Sequence, residues 1–326
     1  MRAPAALHAA DLPGRVCPAD YRYPVTVFDR AADFSAETLY VVGGLYGNAE
    51  ALAAVEAMAA REATTPTIVF NGDFHWFDAE PAWFDAVEAG VSRHLALRGN
   101  VESEIARPQD IGAGCGCAYP ADVDAGTVER SNRILGELRA VAQQNPAAVA
   151  RLATLPMHRV AAVGSARIGI VHGDAAALAG WGFAQDALDS PSAPARIESL
   201  ARASRIDVFA STHTCLAALR QFARPGGAAL TVVNNGAAGM PNFRGDRRGL
   251  ISRIALTPSP HAALYGLRHR DLYVDALPLA YDWDTFFANF SRRWPSGSAA
   301  AESYGQRIRS GPNYPVEPAM PRPPDT

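Results

Sequence analysis

The feature that most constrains the fold is a series of six apolar segments, each of which ends in small or polar residues. The most distinct of them, residues 67–70, runs directly into Asn71-Gly72-Asp73. In α/β sheets, ligand sites lie beyond the carboxyl ends of the strands. We therefore predict that Asp73 is the centre of a functional site. The residues that follow the other five segments are Gly43-Gly44, Arg98-Gly99-Asn100, His172-Gly173-Asp174, Ser211-Thr212-His213 and Asn234-Asn235-Gly236.

Extended and helical patterns alternate in the first third of the chain, which favours right-handed crossovers and a parallel-leaning sheet. The predicted strands are 25–28, 38–42, 67–71, 94–97, 158–163, 167–171, 206–210, 228–233, 250–256, 263–267 and 272–277. The predicted helices are 48–61, 81–91, 128–143, 146–155, 195–203, 215–222 and 281–294. Residues 101–125 are expected to form a long loop. We expect an N-terminal arm over residues 1–36, one domain over 37–294, and a Pro/Gly/Ser-rich tail over 295–326, poorly ordered or wrapped around the surface.

The composition excludes several classes of protein. The chain contains no lysine, so all 30 basic residues are arginine, which rules out Schiff-base chemistry and the lysine of a phosphate-binding P-loop. A net charge of −3 and a pI of ≈ 6.2 provide no basic field for nucleic acid, and we expect no such partner. The chain has no apolar run long enough to span a membrane and no signal-peptide pattern, so we expect a cytoplasmic protein.

Six stretches, in this order, resemble the motifs of the calcineurin-like metallophosphoesterases. They are residues 43–52 (GGLYGNAEAL), 71–73 (NGD), 98–102 (RGNVE), 171–174 (VHGD), 210–213 (ASTH) and 234–241 (NNGAAGMP). The resemblance covers about residues 38–256. It implies an α/β fold, a four-layer αββα sandwich with mixed sheets, and metal ions at the strand ends.

The metal ligands that the resemblance implies are only partly present. In the first motif of the family, Asp-x-His-Gly-Asn, the aspartate is replaced by Gly44 and the histidine by Tyr46. The family histidine that assists the leaving group is replaced by Val101, and the first histidine of the last motif by Ser211. The ligands that remain are Asp73, Asn100, His172 and His213. The resemblance thus implies one divalent ion (Mn, Fe or Zn) and no second ion.

Other residues are candidates for the site by their chemistry or position. Arg98 and Arg244 can supply positive charge to a phosphate, and Glu102 is a candidate catalytic group or a partner for backbone or arginine. His75 is an additional candidate ligand because it lies two residues beyond Asp73.

Three functions remain open. The first is metal-dependent hydrolysis of a small phosphomonoester or phosphodiester at a mononuclear site. The second is a catalytically inactive relative that binds a phosphorylated ligand or a partner protein. The third is a metal site rebuilt around Cys115 and Cys117. The sequence leaves the oligomeric state open.

Overall fold

A computed structural model describes residues 12–224 and 227–322, and within these ranges twelve strands form two six-stranded sheets. The first sheet contains, in spatial order, β1 (Phe34–Ala36), β5 (His158–Val163), β6 (Ala166–Val171), β7 (Val208–Ser211), β9 (Gly227–Asn234) and β8 (Ala218–Arg224). The second contains β11 (Tyr265–His269), β12 (Leu272–Leu279), β10 (Gly249–Ala255), β2 (Thr38–Val42), β3 (Thr67–Asn71) and β4 (Leu95–Leu97).

Both sheets are mixed. In the second sheet, β2, β3 and β4 are parallel, whereas β10 pairs antiparallel with β2 and β12. In the first sheet, β6, β7 and β9 are parallel. Because the carboxyl ends of parallel strands lie at one edge of a sheet, each sheet brings its polar strand ends together there.

Helices flank the paired sheets on both outer faces. They are α1 (Ala49–Ala59), α2 (Pro81–Val91), α3 (Asn100–Ala106), α4 (Ala125–Ala142), α5 (Pro146–Thr154), α6 (Gln185–Asp189), α7 (Ala193–Ser204), α8 (Trp283–Arg293) and α9 (Ala299–Ser310). Helices α6 and α7 pack against the first sheet, and the other helices lie on the side of the second.

Strand β2 shows how the layers are built. Leu39 and Val41 pack between the sheets, and Tyr40 and Val42 pack against the helices. Successive side chains of a strand point to opposite faces, and a strand buried on both faces is apolar throughout. The apolar runs of the sequence thus belong to central strands of a four-layer sandwich, which confirms the expected fold.

Most of the predicted elements are present, and the differences have physical causes. Residues 25–28, predicted as a strand, form a 3₁₀ turn after Pro24 that packs Phe28 against Phe209. Residues 215–222, predicted as a short helix, contribute to β8, because pairing with β9 outweighs the helix propensity of these residues.

Three helices, α3, α6 and α9, were not predicted. Helix α6 has five residues, too few to show a helical period in the sequence. Helix α3 occupies the start of the predicted loop 101–125; it is buried on every side, so its sequence has no amphipathic period. Helix α9 lies within the predicted tail and packs against α4. No helix within the described ranges is both long enough and apolar enough to cross a bilayer.

Candidate metal centre

Four of the predicted site residues converge where the two sheets meet. Asp73 follows β3 and Asn100 begins α3 directly after β4, so both are contributed by the second sheet. His172 follows β6 and His213 follows β7, so both are contributed by the first sheet. All four are almost completely buried. The site thus depends on the packing of one sheet against the other.

The polar atoms of these residues surround one point. His172 Nε2 lies 3.1 Å from Asn100 Oδ1, 3.1 Å from His213 Nδ1 and 3.3 Å from Asp73 Oδ2. The carboxylate and the two imidazoles form the one group of three or more His, Cys, Asp or Glu residues with metal-ligand spacing in the described parts of the chain.

Hydrogen bonds on the outer side of each ligand fix its orientation. His172 Nδ1 donates to the carbonyl of Asn71 at 2.9 Å, and His213 Nε2 donates to the carbonyl of Cys117 at 3.2 Å. Asn100 Nδ2 donates to the carbonyl of Cys115 at 2.9 Å. Outer hydrogen bonds of this kind set the imidazole tautomer in metal sites. Both imidazoles and the amide therefore direct lone pairs toward the same point.

These residues fit a divalent metal ion. Ligands about 2.1 Å from one ion lie about 3.0 Å apart in an octahedron and about 3.4 Å apart in a tetrahedron. The separations of 3.1–3.3 Å between His172 Nε2 and its three neighbours lie in this range. Four converging acceptors require a cation, which is either a proton on His172 or a metal ion.

The pKa shifts of the group are consistent with a cation at this point. Burial opposes the charged form of His172, but Asp73 outweighs burial and raises the pKa of His172. Burial raises the pKa of Asp73, but His172 outweighs it and the net shift is downward. Burial and the neighbouring His172 lower the pKa of His213 to about 3. At neutral pH, His213 is therefore a neutral imidazole, which is the form that binds metals.

Backbone strain is concentrated at the site. Asp73 and His213 have φ values of 51° and 36°, in the left-handed region that residues other than glycine rarely adopt. Gly99 packs so closely on Asp73 that a Cβ atom at Gly99 would lie 2.3 Å from Asp73 Oδ1. Strain of this kind is typical of functional sites.

Glu102 supports the loop that carries Asp73. Its carboxylate is fully buried and accepts hydrogen bonds from four backbone N–H groups, those of Gly99, Asp73, Phe74 and His75. Burial and the charge of Asp73 raise the pKa of Glu102. Of its two predicted roles, this geometry is that of a backbone partner.

The structure places His75 outside the ligand group. Its Nδ1 lies 2.6 Å from Asp78 Oδ2 and its Nε2 lies 3.2 Å from Glu88 Oε2. The ring also stacks on Phe84 at 4.1 Å. Burial lowers the pKa of His75, but the two carboxylates outweigh it and raise the value to about 9. His75 is a buried cation with both nitrogens in use, and it has no lone pair for a metal.

The side chains in place of the missing ligands are held by contacts with neighbouring residues. Tyr46 is buried, and its hydroxyl lies 2.9 Å from Cys215 Sγ. The ring of Tyr46 fills the space beside Gly44, where a Cβ atom would lie 2.7 Å from the ring. Ser211 donates to the carbonyl of Gly173 at 2.6 Å. The replacements therefore belong to a packed wall.

A cavity of ≈ 180 Å³ opens beside the ligand group. Asp73, Asn100 and His213 line it, as does Arg307 of α9. Five aromatic side chains complete most of the wall: Tyr46, Trp76, Tyr119, Trp181 and Tyr304.

The positive charge in this cavity does not come from the two predicted arginines. Arg98 lines a separate surface pocket, where it donates to the carbonyl of Ala153 at 3.3 Å. Arg244 is exposed and bonds to Asn313. Arg307 was missed because it lies 66 residues beyond the last recognisable motif, in the segment that composition assigned to a tail.

Cys115 and Cys117 belong to a glycine-rich loop whose main chain faces the site. Neither thiol is part of the metal-type group, but the carbonyls of both residues hold ligand side chains. Burial raises the pKa of Cys117. The loop therefore acts through its backbone, and the predicted rebuilding of a metal site around these thiols does not match this arrangement.

Comparison with known proteins agrees with this description. Neither a protein-family model nor a curated protein sequence matches the chain. Among solved structures, the chain is similar to a metallophosphoesterase from Sphaerobacter thermophilus, with a TM-score of 0.53 and 14% identity over 84% of this chain and 100% of that one. It is also similar to a hypothetical protein from Pyrococcus horikoshii OT3, with a TM-score of 0.56 and 15% identity over 86% of this chain and 99% of that one.

At these identities the likeness shows the fold. The fold is that of the metallophosphoesterases, as the order of the sequence motifs predicted. The buried Asp73, His172 and His213 could hold a metal ion at the edge of the sheets where the strands end.

Proposed function

We propose that this protein hydrolyses a small phosphate ester with one divalent metal ion, Mn, Fe or Zn. The observation that carries the proposal is the convergence of Asp73, Asn100, His172 and His213, each with a lone pair directed at one point. Carboxylate, amide and neutral imidazole ligands suit these metals. The fold provides the second support, because a structure of similar architecture is a metallophosphoesterase.

A divalent ion held by these four residues would supply the Lewis acidity that polarises a phosphoryl oxygen. The protein contributes the orientation of the ligands. The carbonyl of Asn71 holds the Nδ1 proton of His172, and the carbonyl of Cys117 holds the Nε2 proton of His213. In the neutral form of each ring, these two bonds place the nitrogen without a proton toward the position that the ion would occupy.

The number of ions follows from the wall that replaces the missing ligands. Gly44 has no side chain, and the hydroxyl of Tyr46 is paired with Cys215. The second ion of a binuclear site would thus have only Asp73 and His213 in common with the ligands that the resemblance implies. The proposal is therefore a mononuclear site.

The test is elemental analysis of the purified protein and of Asp73→Ala and His172→Ala. We expect about one equivalent of metal per chain in the parent protein. Both variants should lose it and should also lose turnover of phosphate esters. His261→Ala is the matched control, because His261 lies outside the ligand group and bonds to the carbonyl of Met58.

Two results would contradict the proposal. One is metal content that survives in both ligand variants while circular dichroism shows that they are folded. The other is the absence of metal after reconstitution with all three ions. Stoichiometric metal without turnover would instead support a catalytically inactive protein that binds a phosphorylated ligand.

A further inference from the structure

We infer that the substrate of the proposed reaction is a phosphate ester of a single flat aromatic ring, bound by a box of aromatic side chains and by Arg307. This inference rests on the proposed function and specifies its substrate class. Three observations support it: the walls of the cavity, its size and charge, and the absence of an acid that could protonate a leaving group.

The walls include two pairs of aromatic side chains. Trp181 packs against Tyr119 at 6.2 Å and edge-on against His213 at 5.4 Å, and its indole N–H donates to the carbonyl of Cys117. Tyr304 of α9 packs edge-on against Trp76 at 6.4 Å. Flat aromatic ligands gain from stacked and edge-to-face contacts with such rings.

The size of the cavity limits the ligand. A buried apolar cavity of about 150 Å³ is large enough to hold benzene. The present cavity of ≈ 180 Å³ accommodates one ring beside the ligand group. A nucleoside, which has a sugar as well as a base, would not be enclosed.

Arg307 supplies the charge that a phosphate requires. Its guanidinium donates to the carbonyls of Cys215, at 2.7 Å, and Pro241, at 3.1 Å. No carboxylate pairs with it in residues 12–224 and 227–322. An anchored guanidinium without an acidic partner is suited to a phosphate oxygen. Arg307 thus offsets part of the charge that a second ion would neutralise.

The remaining groups of the cavity are poor acids. Besides the ligands and Arg307, its titratable groups are Tyr46, Tyr119, Tyr304, Cys117 and Cys215. Phenols and thiols have ordinary pKa values of about 10 and about 8.5 and are therefore weak acids at neutral pH, and the hydroxyl of Tyr46 is already paired with Cys215 Sγ at 2.9 Å. Val101, which also lines the cavity, carries no proton to donate.

A substrate whose leaving group departs without protonation does not need a general acid. A phenol has a pKa of about 10, as tyrosine does, whereas the pKa of water, like that of an alkyl alcohol, is much higher. General-acid assistance contributes about 10² to 10⁴ in rate. Without the acid, the hydrolysis rate of an aryl phosphate falls only a little, whereas that of an alkyl phosphate falls by most of this factor.

The test uses two ligands that cannot be hydrolysed, phenylphosphonate and methylphosphonate, titrated calorimetrically into the protein loaded with Mn²⁺. We expect phenylphosphonate to bind about tenfold more tightly. Tyr304→Leu and Trp181→Leu should each reduce this ratio, whereas Tyr273→Leu should retain it, because Tyr273 lies on β12 beneath Arg268, outside the cavity.

Arg307 is tested with the same ligands. Arg307→Gln should weaken the binding of both phosphonates by about tenfold and leave the ratio of their affinities unchanged. Arg309→Gln is the control, because it lies on the same helix, is exposed, and does not line the cavity.

The outcomes separate this inference from the proposed function. Equal binding of the two phosphonates, a ratio that both aromatic variants retain, or no binding of either ligand would overturn the inference. Tighter binding of phenylphosphonate without turnover of phenyl phosphate would support the preference of the cavity for an aryl phosphate as a ligand and would contradict the proposed reaction. If esters are hydrolysed, equal rates for ethyl and phenyl phosphate would also overturn the inference.

Discussion

At the scale of single residues, Glu102 shows how one buried carboxylate can organise a site without entering it. It accepts from four backbone N–H groups, three of them in the loop that follows β3. That loop holds Asp73 at a positive φ. Hydrogen bonds to a charged acceptor are among the stronger ones in proteins, so Glu102 offsets the strain at Asp73.

We predict that Glu102→Gln lowers the free energy of unfolding by about 2–4 kcal/mol, because the amide places N–H donors against backbone N–H groups. Metal affinity should fall as well, since Asp73 loses its support. Urea unfolding followed by circular dichroism measures the first effect, and calorimetric metal titration measures the second.

Glu129→Gln is the matched control, because Glu129 is exposed on α4. If Glu102 were instead a catalytic acid, its replacement would lower turnover and leave the unfolding free energy unchanged. That result would contradict the structural role.

At the scale of elements, the glycine-rich loop before α4 acts through its backbone. Gly116 lies between the two carbonyls that hold Asn100 and His213. Its φ is +66°, and a Cβ atom at this position would lie 2.7 Å from Tyr21 Oη and 3.1 Å from Glu104 Cγ. Only glycine combines this conformation with so close an approach.

We predict that Gly116→Ala lowers metal affinity by about 10- to 100-fold, the usual effect of disturbing groups that orient metal ligands. Metal titration of the purified variant provides the measurement. Gly112→Ala is the matched control, because Gly112 has a similar φ of +76° but no atom lies within 4 Å of the added Cβ, so it tests the backbone strain without the close contact. Equal effects of the two substitutions would show that strain alone, and not the position of the carbonyls, is responsible.

At the scale of the whole molecule, the C-terminal segment covers the edge of the first sheet. Tyr314 donates to the carbonyl of Ala217, just before β8. Arg220 of β8 is buried, pairs with Asp189 and donates to the carbonyl of Met320 at 2.7 Å. β8 pairs with β9 on one side only within the described residues. Proteins protect such edges from pairing with other chains.

We predict that a chain ending at Asn313 has an unfolding free energy lower by about 3–5 kcal/mol. The deletion removes backbone acceptors of the buried Arg220, and it removes Tyr314, whose ring packs beside β8. The shorter chain should also self-associate through the exposed edge of β8. Urea unfolding and light scattering measure the two effects. A chain ending at Arg322 is the control, and an unchanged unfolding free energy in the shorter chain would contradict the prediction.

Most strands and most helices were predictable because their causes are local. The apolar run of β3 and the cap of α1, in which Asn48 accepts from the N–H of Ala51, are encoded within a few residues. The convergence of Asp73, Asn100, His172 and His213 could be expected from the sequence because each follows a predicted strand, and their role as metal ligands stays a prediction. The helix α3 and the strand β8 were not predictable, because burial and pairing with distant residues override local propensity.

The sequence, through its resemblance to the metallophosphoesterases, predicted a two-sheet α/β fold and a reduced set of candidate metal ligands at the strand ends. Only the tertiary structure decided how the rest of the site is built. In the folded protein, His75 lies in a buried ionic cluster and Glu102 accepts hydrogen bonds from the backbone. Arg307 and Tyr304, which belong to the C-terminal segment, line the cavity. The physical reason is that ligand type is a property of one residue, whereas charge balance and cavity shape arise from residues that are distant in sequence and adjacent only after packing.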